Sequence, residues 1–414
     1  MIAEIITIGD EILIGQVVDT NAAFIAGELN KIGIQVGKIT SVSDNHEQII
    51  TSLRDASRHS GLVIMTGGLG PTNDDITKQA LAEYFNAKLV LNADVLDHIK
   101  TLLSGRGREV NDRNIRQAEL PDHCRVLHNA SGTAQGMWFE KNNTIFVSLP
   151  GVPFEMKAIV TETMLPMIKE AFHLPPIQHY TVLTHGLAES AMAEKISSWE
   201  KNLSASVRLA YLPSPGILRL RLSVFDPDPA DASHHLAKEV SRLKEIIGDY
   251  IFGINDETLE EITGRLLRQK GYTLSVAESC TGGKIASMIT AVPGCSDYFT
   301  GSVTAYSNTS KCELLGVNPD SIKTYGAVSQ FVAEEMARGA RKRFGTDIAL
   351  ATTGIAGPSG GTAEKPIGTT WIAISTAAST RAEKFNFGEH RGRNIKKAAI
   401  EALFMLRETL IRST

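Results

Sequence analysis

The chain has 414 residues, 43% of them hydrophobic and 21% charged, with a formal net charge of −4 at pH 7. That length exceeds one typical core and implies two or three domains, and the composition is that of an ordinary soluble protein. Mild acidity excludes a global field that would gather nucleic acid or an anionic membrane, and no run of about 20 apolar residues is present to span a bilayer.

Met1-Ile2-Ala3-Glu4 passes straight into a strand without a basic leader or cleavage site, so a cytoplasmic location is expected. Residues 1 to about 170 alternate apolar runs with amphipathic stretches, which signals parallel α/β folding. Strands are expected over residues 3–8, 35–41, 62–66 and 143–149, and helices over 20–31, 45–59, 75–85 and 153–171. Leu174-Pro175-Pro176 breaks the pattern. Strands at 180–183, 207–212 and 218–225 with helices at 190–203 and 230–247 then read as a small α+β module. A third α/β unit follows, with strands at 273–277, 301–306, 347–352 and 369–375. Its helices fall at 259–270, 284–290, 330–344 and 391–410. The expected domains are 1–173, 174–254 and 255–414.

Cys124, Cys280, Cys295 and Cys312 show no C-x-x-C spacing, and the 11 histidines include no H-E-x-x-H. Disulfide and zinc frameworks are therefore not expected, and any metal would be a hard cation on carboxylates and phosphate oxygens.

In the first unit, Thr66-Gly67-Gly68-Leu69-Gly70-Pro71-Thr72-Asn73-Asp74-Asp75 leaves a buried strand and enters a helix. Its glycines allow close backbone approach and its N–H groups suit a phosphate, but neither the dinucleotide nor the P-loop spacing is met. Asp74 and Asp75 also suit a helix N-terminus with no ligand present. Asp10 and Glu11, then Asp19 and Asn21, follow the first strand, and Asp44 follows the second. All fall at the carboxyl edge of the sheet, where ligands bind. Asx capping is the competing reading for Asp19 and Asp44.

Gly9-Asp10-Glu11-Ile12-Leu13, Asp19-Thr20-Asn21, the 66–75 loop, Gly132-Thr133-Ala134 and Leu149-Pro150-Gly151-Val152-Pro153 together resemble the CinA (competence/damage-inducible) family. Its first domain is similar to the molybdopterin-binding fold. The resemblance implies a nucleotide or pterin phosphate site and metal-dependent ADP-ribose pyrophosphatase activity. That site would draw on Asp10, Glu11, Asp19, Asn21, Asp44, Gly67, Gly68, Gly70, Asp74, Asp75, Gly132 and Thr133. A divalent cation (Mg, Mn or Co) would sit at Asp74 and Asp75, and Asp44 and Asp75 match functional aspartates of the molybdopterin-binding relatives. Gln135 stands where the family pattern has proline, a departure expected to loosen its loop.

In the last unit, Glu278-Ser279-Cys280-Thr281-Gly282-Gly283 sits where a strand ends and a helix begins. A nucleophile there would have converging backbone N–H groups as an oxyanion site; simple helix capping by Ser279 or Thr281 is the plainer reading. The stretches 277–283, Tyr306-Ser307-Asn308 with Lys311, Thr353-Gly354-Ile355-Ala356-Gly357-Pro358 and 364–369 resemble the nicotinamide mononucleotide deamidase domain of the same family. The resemblance implies a serine amidohydrolase in which Ser279 attacks, Lys311 is the base, Tyr306 assists, Thr353 lies near the reacting group and Arg391 binds or polarises. Cys280, Thr281, Gly282, Gly283, Gly354, Ala356 and Gly357 would surround the substrate, and no cofactor is required.

Lysine serves as a base only where burial or positive neighbours lower its pKa. A solvated lysine is the commoner fate, and Cys280 is the rival nucleophile or else a small buried hydrophobe. The implied partners are nicotinamide mononucleotide and ADP-ribose, with a homodimer from the resemblance and neither membrane nor nucleic acid. The middle module is KH-like without the Gly-x-x-Gly clamp. The other reading is a non-catalytic nucleotide-binding partner in competence or DNA damage.

Overall fold

The computed structural model describes residues 1–72, 75–172, 178–224 and 228–412. Asp74 and the prolines expected at the first domain boundary lie outside the described residues. Two compact units form, Met1–His179 with Val224–His235, and Tyr180–Ser223 with Leu236–Thr414. Among the described residues no helix is long and apolar enough to cross a membrane.

The first unit is built on a six-stranded sheet, ordered Gln35–Val42, Ile2–Ile8, Leu62–Thr66, Thr144–Leu149, Gly136–Lys141, Arg125–Leu127. The first four strands run parallel and the last two pairings are antiparallel, with Gly136–Lys141 the reversed strand, so the sheet is mixed rather than all parallel. The reason is a two-residue hairpin: Asn142 and Asn143 both take positive φ (51° and 60°), the left-handed turn that the twist of a tight hairpin needs. Alternate residues of the central strands feed opposite cores. Ile6, Val63 and Met65 pack with Ile49, Leu53 and Leu81, while Ile5, Leu62 and Ile64 pack with Ile25, Leu29 and Met156. Burial on both faces is why these strands read as continuous apolar runs.

The single helix expected over 153–171 is instead two α segments, Pro153–Ile159 and Leu165–Ala171, joined by a π turn, Val160–Met164. Pro166 has no N–H for the regular ladder, and the wider turn absorbs that loss.

The second unit holds two sheets. The smaller is ordered Val207–Ser214, Ile217–Val224, Gln178–Thr184, Ile251–Ile254. The larger is ordered Phe299–Thr304, Leu274–Glu278, Ile348–Gly354, Thr369–Ser375, Thr380–Asn386. Its first three strands are parallel and its last two pairings antiparallel, with Thr369–Ser375 the reversed strand. Leu274, Val276, Ile348 and Leu350 face Leu403 and Leu406 of the closing helix Arg391–Arg412. On the other face Ala277, Ala349 and Ala351 meet Val332, Met336, Ala337 and Ala340 of the helix Gln330–Phe344. The alanines let that helix lie close to the sheet.

Candidate functional sites

In the second unit, the strand Leu274–Glu278 delivers Ser279 at its carboxyl end, and the helix Lys284–Thr290 begins five residues later. Gly282 and Gly283 take φ of 61° and 95°, a reversal that glycine makes without strain. Lys311 projects from the helix Asn308–Leu315, whose N-cap Ser307 accepts the N–H of Ser310. The lysine is buried, and its Nζ lies 3.0 Å from each of Ser279 Oγ, the Ala305 carbonyl and the Tyr306 carbonyl. No carboxylate pairs with it among the described residues. Burial pushes its pKa below the usual 10.5, with Cys280 and Cys312 the lesser opposing influences.

Tyr306 reaches the site through its backbone. Its side chain is exposed, and its hydroxyl accepts from Arg391 Nη2 at 3.3 Å. Arg391 also donates Nη1 to the Gly357 carbonyl at 2.7 Å. Ser279, Lys311, Tyr306 and Arg391 therefore form one connected chain of contacts. Thr353 is turned elsewhere, since its hydroxyl donates to the Ala327 carbonyl at 2.8 Å. Thr281 is buried against Thr352, hydroxyl to hydroxyl at 2.7 Å. Cys280 is a buried thiol pushed up to about 12 by desolvation, which keeps it protonated near neutrality.

The N–H groups expected to serve as an oxyanion site at the start of this helix are already used. The buried Glu278 carboxylate accepts from Gly283, Ile285 and Ala286 at 3.0, 3.1 and 2.9 Å. The N–H groups of Thr281, Ala356 and Gly357 have no partner among the described residues. Gly354 and Gly357 are explained by packing: a Cβ would meet Thr370 Oγ1 at 2.6 Å and Ile367 Cγ2 at 2.6 Å respectively. Sequence reasoning missed Glu278, Thr352 and Asn394. Asn394 is one turn beyond Arg391 and donates to the carbonyls of Ala356 and Gly388. The Arg-x-x-Asn spacing from Arg391 carried too little to single it out.

In the first unit a cavity of about 390 Å³ opens at the carboxyl edge of the sheet. Glu11, Asp19, Asn21, Asp44, Gly67, Gly68, Gly70 and Asp75 line it. Asp10 contributes its backbone N–H, which donates to Asp44 Oδ2 at 3.2 Å. The Asp44 carboxyl is raised by burial and by the negative charges of Asp10, Glu11 and Asp75.

Asp75 is spent on its own loop, accepting from the N–H of Gly70 and Thr72 at 2.8 Å and from the Thr72 hydroxyl. Asp19 caps the helix Thr20–Lys31 by accepting from Ala22 N–H, so the capping reading holds there. The N–H groups of Gly68 and Leu69 have no partner among the described residues. Gly132 and Thr133 do not line the cavity; Gly132 N–H goes to Asn129 and its carbonyl contacts His98. Gln135 does not leave its loop loose, because its buried Oε1 accepts Asn129 N–H at 2.7 Å.

Among the described residues no group of three or more His, Cys, Asp or Glu converges as a metal cage. With Asp75 engaged by its loop, Asp44 and Glu11 suit a cation shared with a ligand's phosphate oxygens rather than one enclosed by protein.

These features define an α/β protein with a polar cavity at the carboxyl edge of the sheet in one unit and a buried serine–lysine pair in the other. The chain matches the family model "Probable molybdopterin binding domain" over residues 4–170, "Damage-inducible protein CinA KH domain" over 179–253, and "CinA C-terminal domain" over 256–410. It is 47% identical over 415 residues to a CinA-like protein of Flavobacterium psychrophilum, spanning 100% of this chain and 99% of that one. Identity to a CinA-like protein of Cytophaga hutchinsonii is 44% over 408 residues, spanning 99% and 98%. Among solved structures, the competence/damage inducible protein CihA of Agrobacterium tumefaciens is 34% identical, covers 39% of this chain and all of its own, and has a TM-score of 0.36. The chain belongs to the CinA-like family.

Proposed function

We propose that the second unit is a nicotinamide mononucleotide amidohydrolase acting through an acyl-enzyme on Ser279. The observation that carries this reading is the 3.0 Å contact between Ser279 Oγ and a buried Lys311 that has no carboxylate partner among the described residues. An ammonium has three N–H donors and a neutral amine has two plus a lone pair. With the Ala305 and Tyr306 carbonyls taking two N–H groups, the lone pair is left for the serine hydroxyl.

Ser279 Oγ attacks the carboxamide carbon as Lys311 takes its proton. Collapse of the tetrahedral adduct returns that proton to the leaving nitrogen, breaks the C–N bond and releases ammonia. Water, deprotonated by the same amine, then attacks the ester carbon; collapse breaks the acyl–Oγ bond, returns the proton from Lys311 to Ser279 Oγ and frees nicotinate mononucleotide. Arg391, anchored by Gly357 and Tyr306, is placed to meet an anionic group. In the full chain, Ser279→Ala should lower ammonia release by about 10³-fold or more. Undiminished turnover would overturn the reading.

The cavity of the first unit favours a second activity, hydrolysis of the ADP-ribose pyrophosphate. Gly68 and Leu69 N–H groups are available to phosphate oxygens, and Asp75 holds their loop in shape. A divalent cation held by Asp44 and Glu11 together with the substrate would neutralise charge on the pyrophosphate.

A further inference from the structure

The reaction proposed for the second unit needs donors for the oxygen that turns negative when Ser279 Oγ bonds to the carboxamide carbon. The start of the helix Lys284–Thr290 does not supply them, because the Glu278 carboxylate occupies its N–H groups. The strand Ile348–Gly354 ends at the same edge of the sheet: Glu278 pairs with Thr352, and Ser279 N–H donates to the Thr352 carbonyl at 3.0 Å. The loop that follows this strand is held one carbonyl at a time. Gly368 N–H donates to the Ile355 carbonyl at 2.7 Å, Asn394 Nδ2 to the Ala356 carbonyl at 3.0 Å, and Arg391 Nη1 to the Gly357 carbonyl at 2.7 Å.

In a trans peptide the C=O and the following N–H point opposite ways. The hold on Ile355 therefore turns the Ala356 N–H away from Gly368, and the hold on Ala356 turns the Gly357 N–H away from Asn394. Neither N–H has a partner among the described residues. Arg391, which grips the next carbonyl, also reaches Tyr306, whose own carbonyl accepts from Lys311 Nζ. Loop, base and serine thus belong to one set of contacts.

Asn394 is 2% exposed, and its Nδ2 also donates to the Gly388 carbonyl at 2.8 Å. Its Oδ1 has no partner among the described residues. An unpaired buried acceptor is a cost that packing alone does not explain. A leucine would fill similar space without that cost; what it lacks is the donor that the two carbonyls share.

We propose that Asn394 is a positioning residue for amide hydrolysis: by holding the Ala356 carbonyl, it aims the Gly357 N–H at the oxyanion formed on the Ser279-bound carbon. The inference rests on the amidohydrolase reading and deepens it. Lys311 moves the proton, and Asn394 acts on the oxyanion only through the loop. Its loss should therefore slow the chemical step and leave ground-state binding nearly intact.

The test measures ammonia release from nicotinamide mononucleotide by the full chain carrying Asn394→Ala or Asn394→Leu; the leucine is neutral, nearly isosteric and opens no cavity. In each, kcat should fall about 10–100-fold while KM stays within about threefold. The pH at which kcat/KM rises should match wild type, because Lys311 keeps its burial. Both variants should melt above the assay temperature; should Asn394→Ala not, Asn394→Leu decides. Wild-type kcat in a folded variant would overturn the inference. So would a loss whose pH midpoint climbs toward the usual lysine value, since the whole site would then have loosened. Ammonia release that depends on Ser279 but not on Asn394 would remove this inference alone. Wild type that releases no ammonia would remove the amidohydrolase reading and the inference with it.

Discussion

In the proposed mechanism Lys311 is the side chain whose protonation state decides the chemistry at the serine. Burial favours the neutral amine, so the folded chain releases this proton at a lower pH than the unfolded chain, whose lysine titrates near 10.5. Two consequences share that sign. Between the folded value and 10.5 the unfolded state binds more protons, so stability at this site rises with pH across that window and the gain is absent below it. Amide hydrolysis should likewise rise with pH through a single ionisation below 10.5, measured as kcat/KM against pH. Lys311→Arg, which keeps the charge and cannot deprotonate, should lose about 10²–10⁴-fold and flatten that profile. Cys280→Ser should keep most of the activity, because a thiol pushed up to about 12 contributes no thiolate at neutral pH. Ser279 and Lys311 were legible because both lie in short motifs. Thr352 was not, since its place beside the site comes from its register with Glu278 on a strand more than 70 residues away.

The turn that presents Ser279 depends on a helix whose start is closed by Glu278. Three N–H groups share one buried carboxylate, which also complements the positive end of the helix. Glu278→Leu would leave those donors without partners at a cost of about 1–3 kcal/mol. Hydrogen exchange should then accelerate across Lys284–Thr290, with no change in the helix Thr20–Lys31. Protection that stays at wild-type levels would show that the carboxylate does not hold the turn.

Elements with strong periodicity and clear ends were readable to the residue, as with Leu62–Thr66, Leu259–Lys270 and Gln330–Phe344. The helix Ala93–Ser104 was missed although Asn92 caps it and Val95, Ile99 and Leu103 recur every four residues. The strand Thr380–Asn386 gave little to read, because an edge strand with mixed polar residues carries no continuous apolar run.

At the scale of the chain, length alone implied several domains; the structure forms two compact units, each with hydrophobic clusters of its own. What length could not supply was the mixed direction of both large sheets, because strand direction depends on tight turns such as Asn142-Asn143 rather than on apolar pattern. The two candidate sites share no residue and lie in different compact units, so their chemistry should be separable within one intact molecule. Ser279→Ala should abolish ammonia release from nicotinamide mononucleotide and leave AMP release from ADP-ribose unchanged. Asp44→Asn should do the reverse, lowering AMP release about 10–100-fold with ammonia release intact. A chelator should reproduce the Asp44→Asn pattern and spare the serine–lysine site, whose groups need no metal to move a proton. If Asp44→Asn or the chelator reduced both products by the same factor, the two units would be coupled and their independence would fail.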